Sequence, residues 1–143
     1  MPNITTVVGV RQVINNLRAR DRSYGYGIAR GLKKGGLLIQ RTSQLQAPVE
    51  FGNLKASAFT RATGTGFQTK VTVGYTAAYA PFVHERVKMS WKGLERHPNP
   101  PHKGRYWDPQ GRAKAHFLSD PVRTEAKKVT EIVRDEAFRA KWS

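Results

Sequence analysis

The spacing of apolar residues along this chain changes at Pro48. Before this proline, residues 10, 13, 14 and 17 are Val, Val, Ile and Leu, which is the i, i+3, i+4, i+7 spacing of one helix face. Beyond it, from residue 67 to residue 73, Phe, Thr and Val alternate with Gln, Lys and Thr, which is the period of a β-strand. The chain is therefore expected to combine helices with an antiparallel sheet.

Two helices are predicted before Pro48. The first covers residues 7–22 and ends at the Tyr-Gly-Tyr-Gly step of residues 24–27, because each glycine in a helix costs about 1 kcal/mol relative to alanine. The second covers residues 26–45, and Pro48 ends it and favours extended backbone at Ala47. Three glycines weaken this second pattern, but they would let another backbone approach closely, as at a contact between subunits: Gly31, Gly35 and Gly36.

A β-hairpin is predicted after Pro48. Leu54 opens the first alternating run, residues 63–66 (Thr-Gly-Thr-Gly) supply the turn, and Gly74 ends the second run. Residues 77–85 then form either a short helix or a third extended piece. Three side chains of that piece are expected to point inward: Tyr79, Phe82 and Val83.

A final helix is predicted from its cap and its apolar spacing. Ser119 or Asp120 caps this helix, and Pro121 lies near its first turn. The predicted class is α+β, in a single domain of residues 1–143. A small antiparallel sheet carries N-terminal helices and a C-terminal helix, and a long basic loop precedes the last helix. The apolar face of that helix consists of Val122, Ala126, Val129, Val133 and Ala137, supported by Ile132.

Positive charge is spread over the whole chain. The 25 Lys and Arg against 10 Asp and Glu give a net charge of +15, which exceeds the magnitude of about 2–8 usual for a small soluble domain. This excess predicts a polyanionic or acidic partner, either DNA or protein. The absence of cysteine excludes disulfides and thiolate zinc sites. Neither a membrane-length apolar run nor a signal peptide is found, so a cytosolic origin is expected.

Residues 86–116 are the strongest candidate for a binding surface. This loop contains four prolines, and its tryptophans and a tyrosine are interleaved with basic residues. Lysine and arginine would neutralise phosphates, whereas tryptophan often anchors a protein interface. A protein interface, a DNA-facing surface and a passive loop all remain open. The candidate interface or DNA-facing residues are Arg86, Lys88, Trp91, Lys92, Arg96, Lys103, Arg105, Trp107, Arg112 and Lys114.

The residues that could carry a reaction do not predict an active site. Glu85 is expected to diverge from His84, because adjacent side chains point apart on most backbones. His97-Pro98-Asn99 with His102 loosely resembles an HNH-type nuclease, yet Asp108 is the one acidic residue between 96 and 119. The chain is therefore predicted not to be an enzyme, with no catalytic residue, metal or cofactor. The histidines considered as metal ligands, none in an H-x-x-x-H pair, are His84, His97, His102 and His116.

Three short segments, taken in order, resemble one family. Residues 48–57 contain a proline followed by the pattern Gly-x-Leu. One extra residue stands between the proline and the glycine, compared with the family pattern Pro-x-x-Gly-x-Leu. Residues 79–85 (Tyr-Ala-Pro-Phe-Val-His-Glu) and 115–118 (Ala-His-Phe-Leu) supply a tyrosine–alanine stretch and an aromatic–leucine step before the last helix. This order resembles the HK97 gp10-like family of tailed-phage head–tail joining proteins, described as neck, tail-completion or minor tail components. The matching positions are Pro48, Gly52, Leu54, Tyr79, Ala80, Val83, Glu85, Phe117 and Leu118.

The resemblance implies a structural protomer at the head–tail junction of a virion. Its partners would be copies of itself in a ring of six or twelve, neighbouring head-connector and tail proteins, and double-stranded DNA contacted without sequence preference. Such a protein would be assembled in the host cytoplasm. Arg86 stands where this family often has glycine, and the loop of residues 86–114 is longer than expected. The alternatives are a stand-alone, sequence-independent DNA-binding module and a histidine-dependent nuclease.

Overall fold

The computed structural model describes residues 10–48, 52–85 and 113–142. Within those ranges, helices combine with a two-stranded antiparallel sheet, so the predicted α+β class is confirmed. In chain order the elements are α1 (Val10–Gln46), α2 (Asn53–Ala56), β1 (Ala58–Thr63), a 3-10 turn (Gly66–Gln68), β2 (Lys70–Tyr75), α3 (Ala80–His84), α4 (Ser119–Thr124) and α5 (Ala126–Trp142).

A single helix of 37 residues, α1, occupies the region where two helices were predicted. The predicted break at residues 24–27 is wrong, because tertiary packing outweighs the low helix propensity of glycine there. A β-carbon on Gly27 would lie 2.6 Å from the Glu136 carbonyl oxygen, and one on Gly25 would lie 3.1 Å from the Cα atom of Gly66. The glycines thus let neighbouring chain segments approach the helix backbone. The predicted end before Pro48 is confirmed, since α1 ends at Gln46.

Helix α5 lies along a groove of glycines on α1. Gly27, Gly31 and Gly35 recur every four residues and therefore share one helix face. A β-carbon on Gly31 would lie 2.5 Å from the Cα atom of Val133, and one on Gly35 would lie 2.6 Å from a methyl group of Val129. The close approach expected from these glycines is made by a helix of the same chain.

The hairpin packs on another side of α1. Gly36 faces it, since a β-carbon there would lie 2.7 Å from Val71 and 2.9 Å from Thr60. The strands pair from Ala58 with Tyr75 to Thr63 with Lys70, which confirms the predicted hairpin.

The ends of both strands differ from the prediction. Leu54 belongs to the helical turn α2, because Gly52 adopts a left-handed φ of 82° and the chain coils after it. Phe67 belongs to the 3-10 turn, where its ring packs against Tyr24 at 6.3 Å. Gly74 does not end the second strand, since it pairs with Phe59 and lets that ring lie over it.

The segments on either side of residues 86–112 are short helices. Residues 80–84 form α3, but two of its predicted inward side chains are exposed: Tyr79 precedes the helix at 39% and Phe82 reaches 72%. Val83 does point inward, against the core. The inward positions are set by the 3.6-residue period, which places Ala80 and Val83 on one face.

The predicted C-terminal helix consists of two helices, α4 and α5, separated at Glu125. Neither Ser119 nor Asp120 is the cap, because Leu118 occupies that position without a side-chain hydrogen bond. Of the predicted apolar face, residues 129, 133 and 137 pack against the glycines of α1. Val122 and Ala126 are exposed, because they precede the residues that face those glycines.

A buried carboxylate fastens α5 to α1. The Glu136 side chain accepts a hydrogen bond from Lys34 Nζ at 2.5 Å and lies 3.6 Å from Arg30 and 3.8 Å from Arg139. The hydrogen bond from Lys34, with the nearby positive charges, lowers the pKa of Glu136 below its ordinary value, although burial opposes this.

Acid should weaken the α1–α5 contact through Glu136. A lowered pKa in the folded state means that the carboxylate stabilises the fold above pH about 4.5, its ordinary value, and loses this effect as pH falls through the folded value. We therefore expect Glu136→Gln to flatten the decrease in melting temperature between pH 6 and pH 3, measured by circular dichroism. Glu131→Gln, at an exposed position on the same helix, should leave that decrease unchanged. Equal pH dependence in both variants would contradict this role.

Candidate functional site

Three of the positions that carry the family resemblance, Leu54, Ala80 and Phe117, come together with Ala47 in one hydrophobic cluster. Ala47, Leu54, Ala80 and Phe117 are buried in contact with each other, although they come from four separate segments. Val83 and Leu118 are among the partly buried residues that pack against them. The segments before and after residues 86–112 are therefore joined through this cluster.

The remaining motif positions shape the edges of the cluster. Pro48 is buried two residues after the end of α1, and Gly52 adopts the left-handed conformation that starts α2. Tyr79 is partly exposed, and Glu85 is an exposed carboxylate that contacts His84. The motif positions are thus chiefly structural, with Glu85 as the exception.

Most of the predicted basic and aromatic candidates lie outside the described residues. Lys114 is described, and its ammonium lies 3.0 Å from an Asp120 carboxylate oxygen, while its backbone N–H donates to the Gln46 carbonyl at 3.0 Å. The hydrogen bond from Lys114 lowers the pKa of Asp120. The candidates outside the described residues are Arg86, Lys88, Trp91, Lys92, Arg96, Lys103, Arg105, Trp107 and Arg112.

A cluster of polar side chains lies where the chain leaves α3 and returns before α4. His84 Nδ1 is 2.9 Å from Glu85 Oε1, so the prediction that these two neighbours diverge is wrong. The rings of His84 and His116 meet edge to face with centroids 5.2 Å apart. The structure thus brings together two histidines that are 32 positions apart in the sequence.

A backbone bond and ring packing hold the two histidines beside each other. The His116 N–H donates to the His84 carbonyl oxygen at 2.8 Å. Phe117 packs edge-on against the His84 ring at 5.3 Å, and the Ser119 N–H and Oγ both lie 3.4 Å from His84 Nε2. Sequence reasoning missed this arrangement, although histidines stand on both sides of residues 86–115, the basic segment, and are a signal for it.

A groove of about 250 Å³ opens beside the cluster. His84 and Glu85 line one part of it, and Tyr75 and Phe117 line another. The Tyr75 hydroxyl shares a 2.6 Å hydrogen bond with Ser43, and burial raises the pKa of this tyrosine. The groove is therefore lined mainly by apolar and aromatic side chains, together with one imidazole and one carboxylate group.

A second surface lies at the start of α1. Residues 11–22 are all exposed, and they include Val13, Ile14 and Leu17 at 56%, 42% and 60%. Helix α5 reaches α1 at Ser23, whose hydroxyl donates to the Ala140 carbonyl oxygen. Leu17 and Gly35 are five helical turns apart, so the exposed apolar stripe continues the face that α5 covers farther along.

No family model, curated protein or solved structure matches this chain. Within residues 10–48, 52–85 and 113–142, no helix combines the length and apolar character needed to cross a membrane.

Proposed function

We propose that this protein is a neck or tail-completion protomer of a tailed bacteriophage, which forms a ring around the DNA channel between head and tail. The observation that carries the proposal is the uncovered stripe on α1. Val13, Ile14 and Leu17 continue the face that packs on α5, yet none of them is buried by the described part of the chain. A contiguous apolar patch of this kind marks a protein interface.

The charge of the chain supports a ring that encloses DNA. A net charge of +15 makes the copies repel one another, and a polyanion or acidic neighbours would offset that repulsion. DNA inside a ring supplies the compensating charge without base-specific contacts, because basic residues bind phosphates of any sequence. Contacts that repeat head to tail close into rings when the rotation between copies closes.

A charge placed on the exposed stripe should abolish assembly and leave the monomer folded. We expect the wild-type chain to be a closed ring of six or twelve copies in light scattering, and to form a ring at the particle neck in electron micrographs. Leu17→Glu should give a monomer, because a carboxylate cannot be buried there without a partner. The side chain is 60% exposed in the single chain, so helical content should not change.

The matched control is Leu37→Glu. This leucine is 57% exposed on the same helix, but it lies about 160° around the axis from Leu17, and its variant should still assemble. A wild-type protein that stays monomeric and is absent from particles would refute the proposal, as would a Leu17→Glu variant that still forms rings.

The exposed arginines at the start of α1 favour a second candidate function, a stand-alone DNA-binding module. A free module would bind short duplex DNA as a monomer or dimer, and its affinity would fall steeply with salt because phosphate neutralisation releases counterions. Such binding by a chain that never forms a ring would support this candidate. The exposed arginines are Arg11, Arg18, Arg20 and Arg22.

A further inference from the structure

We propose that His84, Glu85 and His116 bind a transition-metal dication of the zinc class, and that the metal holds together the two ends of the basic segment. This inference goes beyond the ring function and does not depend on it. One ligand atom from each of the three residues lies within 4.8 Å of the other two. Both histidines are partly buried and the carboxylate is exposed, so the site opens to solvent on one side.

The ligand set fits zinc better than calcium or magnesium. Imidazole nitrogen suits zinc and its neighbours in the first transition row, whereas calcium and magnesium take oxygen ligands. Three protein ligands are also the number found in zinc sites that keep one open position. The fourth ligand would then be water or a group from an outside molecule.

The ligand atoms lie up to 4.8 Å apart, so binding one ion requires them to approach by up to about 1.5 Å. At zinc–ligand lengths of about 2.0–2.1 Å, two ligand atoms of a tetrahedral ion are roughly 3.3 Å apart. His84 Nδ1 and Glu85 Oε1 are already 2.9 Å apart. The Glu85 side chain is 70% exposed, so it can rotate without disturbing the core.

The backbone of His116 is held in an unusual conformation at this position. Its φ of 55° is the only positive value among the described residues other than glycine. Non-glycine residues adopt this left-handed region rarely, and such outliers gather at functional sites. The conformation presents the His116 ring to His84, and the 2.8 Å backbone bond between the two residues fixes it.

A neighbouring residue can support the metal-bound form of His84. When Nδ1 binds a metal, the neutral ring carries its proton on Nε2, and ligating histidines usually donate that proton to a partner. In this structure the Ser119 N–H donates to Nε2 at 3.4 Å, so binding through Nδ1 requires the ring proton to move to Nε2 and this long contact to be lost. The Ser119 Oγ, also 3.4 Å from Nε2, would then be the acceptor for that proton.

The bound metal would fasten the base of the basic segment. His84 and Glu85 precede residues 86–115, and His116 follows them. A cross-link between the two ends closes this stretch, and closing a loop reduces the freedom of its ends. The metal would thereby hold the start and end of the segment in one place, whichever partner the segment contacts.

Zinc titration of the chelator-treated full-length chain tests the proposal. We expect one Zn²⁺ per chain in isothermal calorimetry, and a melting temperature raised by roughly 5–10 °C at a hundredfold excess over Kd. Co²⁺ should give the visible absorption of a tetrahedral site.

His116→Asn should weaken zinc binding more than about 100-fold, since loss of a supporting partner alone costs about 10–100-fold. Asparagine tolerates the left-handed backbone, so this variant removes the ligand without adding strain.

Two further variants keep the result decisive. Glu85→Gln changes an exposed side chain and should weaken binding at least tenfold even if His116→Asn does not fold. The double variant His97→Ala/His102→Ala removes the other two histidines and should bind zinc like the wild type. The proposal is overturned if wild-type protein binds no zinc, if the double variant loses binding, or if Glu85→Gln and His116→Asn both bind zinc as tightly as the wild type.

Discussion

Phe117→Ala should destabilise the protein by about 3–5 kcal/mol, the range for removing a buried aromatic ring. Phe117 is only 1% exposed and is one of the largest fully buried side chains described. Its ring meets Tyr75 edge-on at 5.2 Å and His84 edge-on at 5.3 Å, so its loss leaves a cavity between the hairpin, α3 and the turn before α4. Urea unfolding followed by circular dichroism measures the change.

Phe82→Ala is the matched control for this substitution. Phe82 is 72% exposed on α3, and surface substitutions usually change stability by no more than about 0.5 kcal/mol. The loss of stability in Phe117→Leu should fall between those of Phe117→Ala and Phe82→Ala, because leucine keeps part of the buried volume. If Phe117→Ala and Phe82→Ala unfold at the same urea concentration, Phe117 does not hold the cluster together.

The local patterns in the sequence were sufficient to predict the types of element. The period-two alternation predicted the hairpin, and Pro48 predicted that the helix before it ends, as α1 does at Gln46. The boundaries were missed where distant residues decide the backbone. Phe67 leaves the strand to pack on Tyr24, and residues 24–27 stay helical because the hairpin tip and α5 lie against them.

The candidate site could be predicted only in part, for a related reason. The sequence placed histidines at both ends of the basic segment, but spacing alone gives no distance between residues 32 positions apart. Their approach depends on Phe117 entering the core beside Ala80, and on the left-handed backbone of His116. Neither feature has a local sequence signature, since the first is a long-range contact and the second is uncommon even for histidine, which adopts it more often than most residues.

Gly31→Ala should destabilise the protein by about 2 kcal/mol, although alanine is the better helix former by about 1 kcal/mol. The new β-carbon would lie 2.5 Å from the Cα atom of Val133. A backbone atom cannot rotate away, so α5 must move outward along its whole contact with α1, and overpacking of this kind costs about 3 kcal/mol. The free energy of unfolding in urea gives the net change.

Comparison of Gly35→Ala with Gly31→Ala separates a clash with a side chain from a clash with the backbone. Its β-carbon would lie 2.6 Å from a methyl group of Val129, so shortening that side chain can relieve the overlap. We expect Val129→Ala to restore most of the stability lost in Gly35→Ala, with a coupling energy of about 1–2 kcal/mol in a double-mutant cycle. Val133→Ala should not rescue Gly31→Ala, because it leaves the Cα atom in place. Additive effects in the first pair, or rescue in the second, would mean that α5 does not lie in the glycine groove of α1.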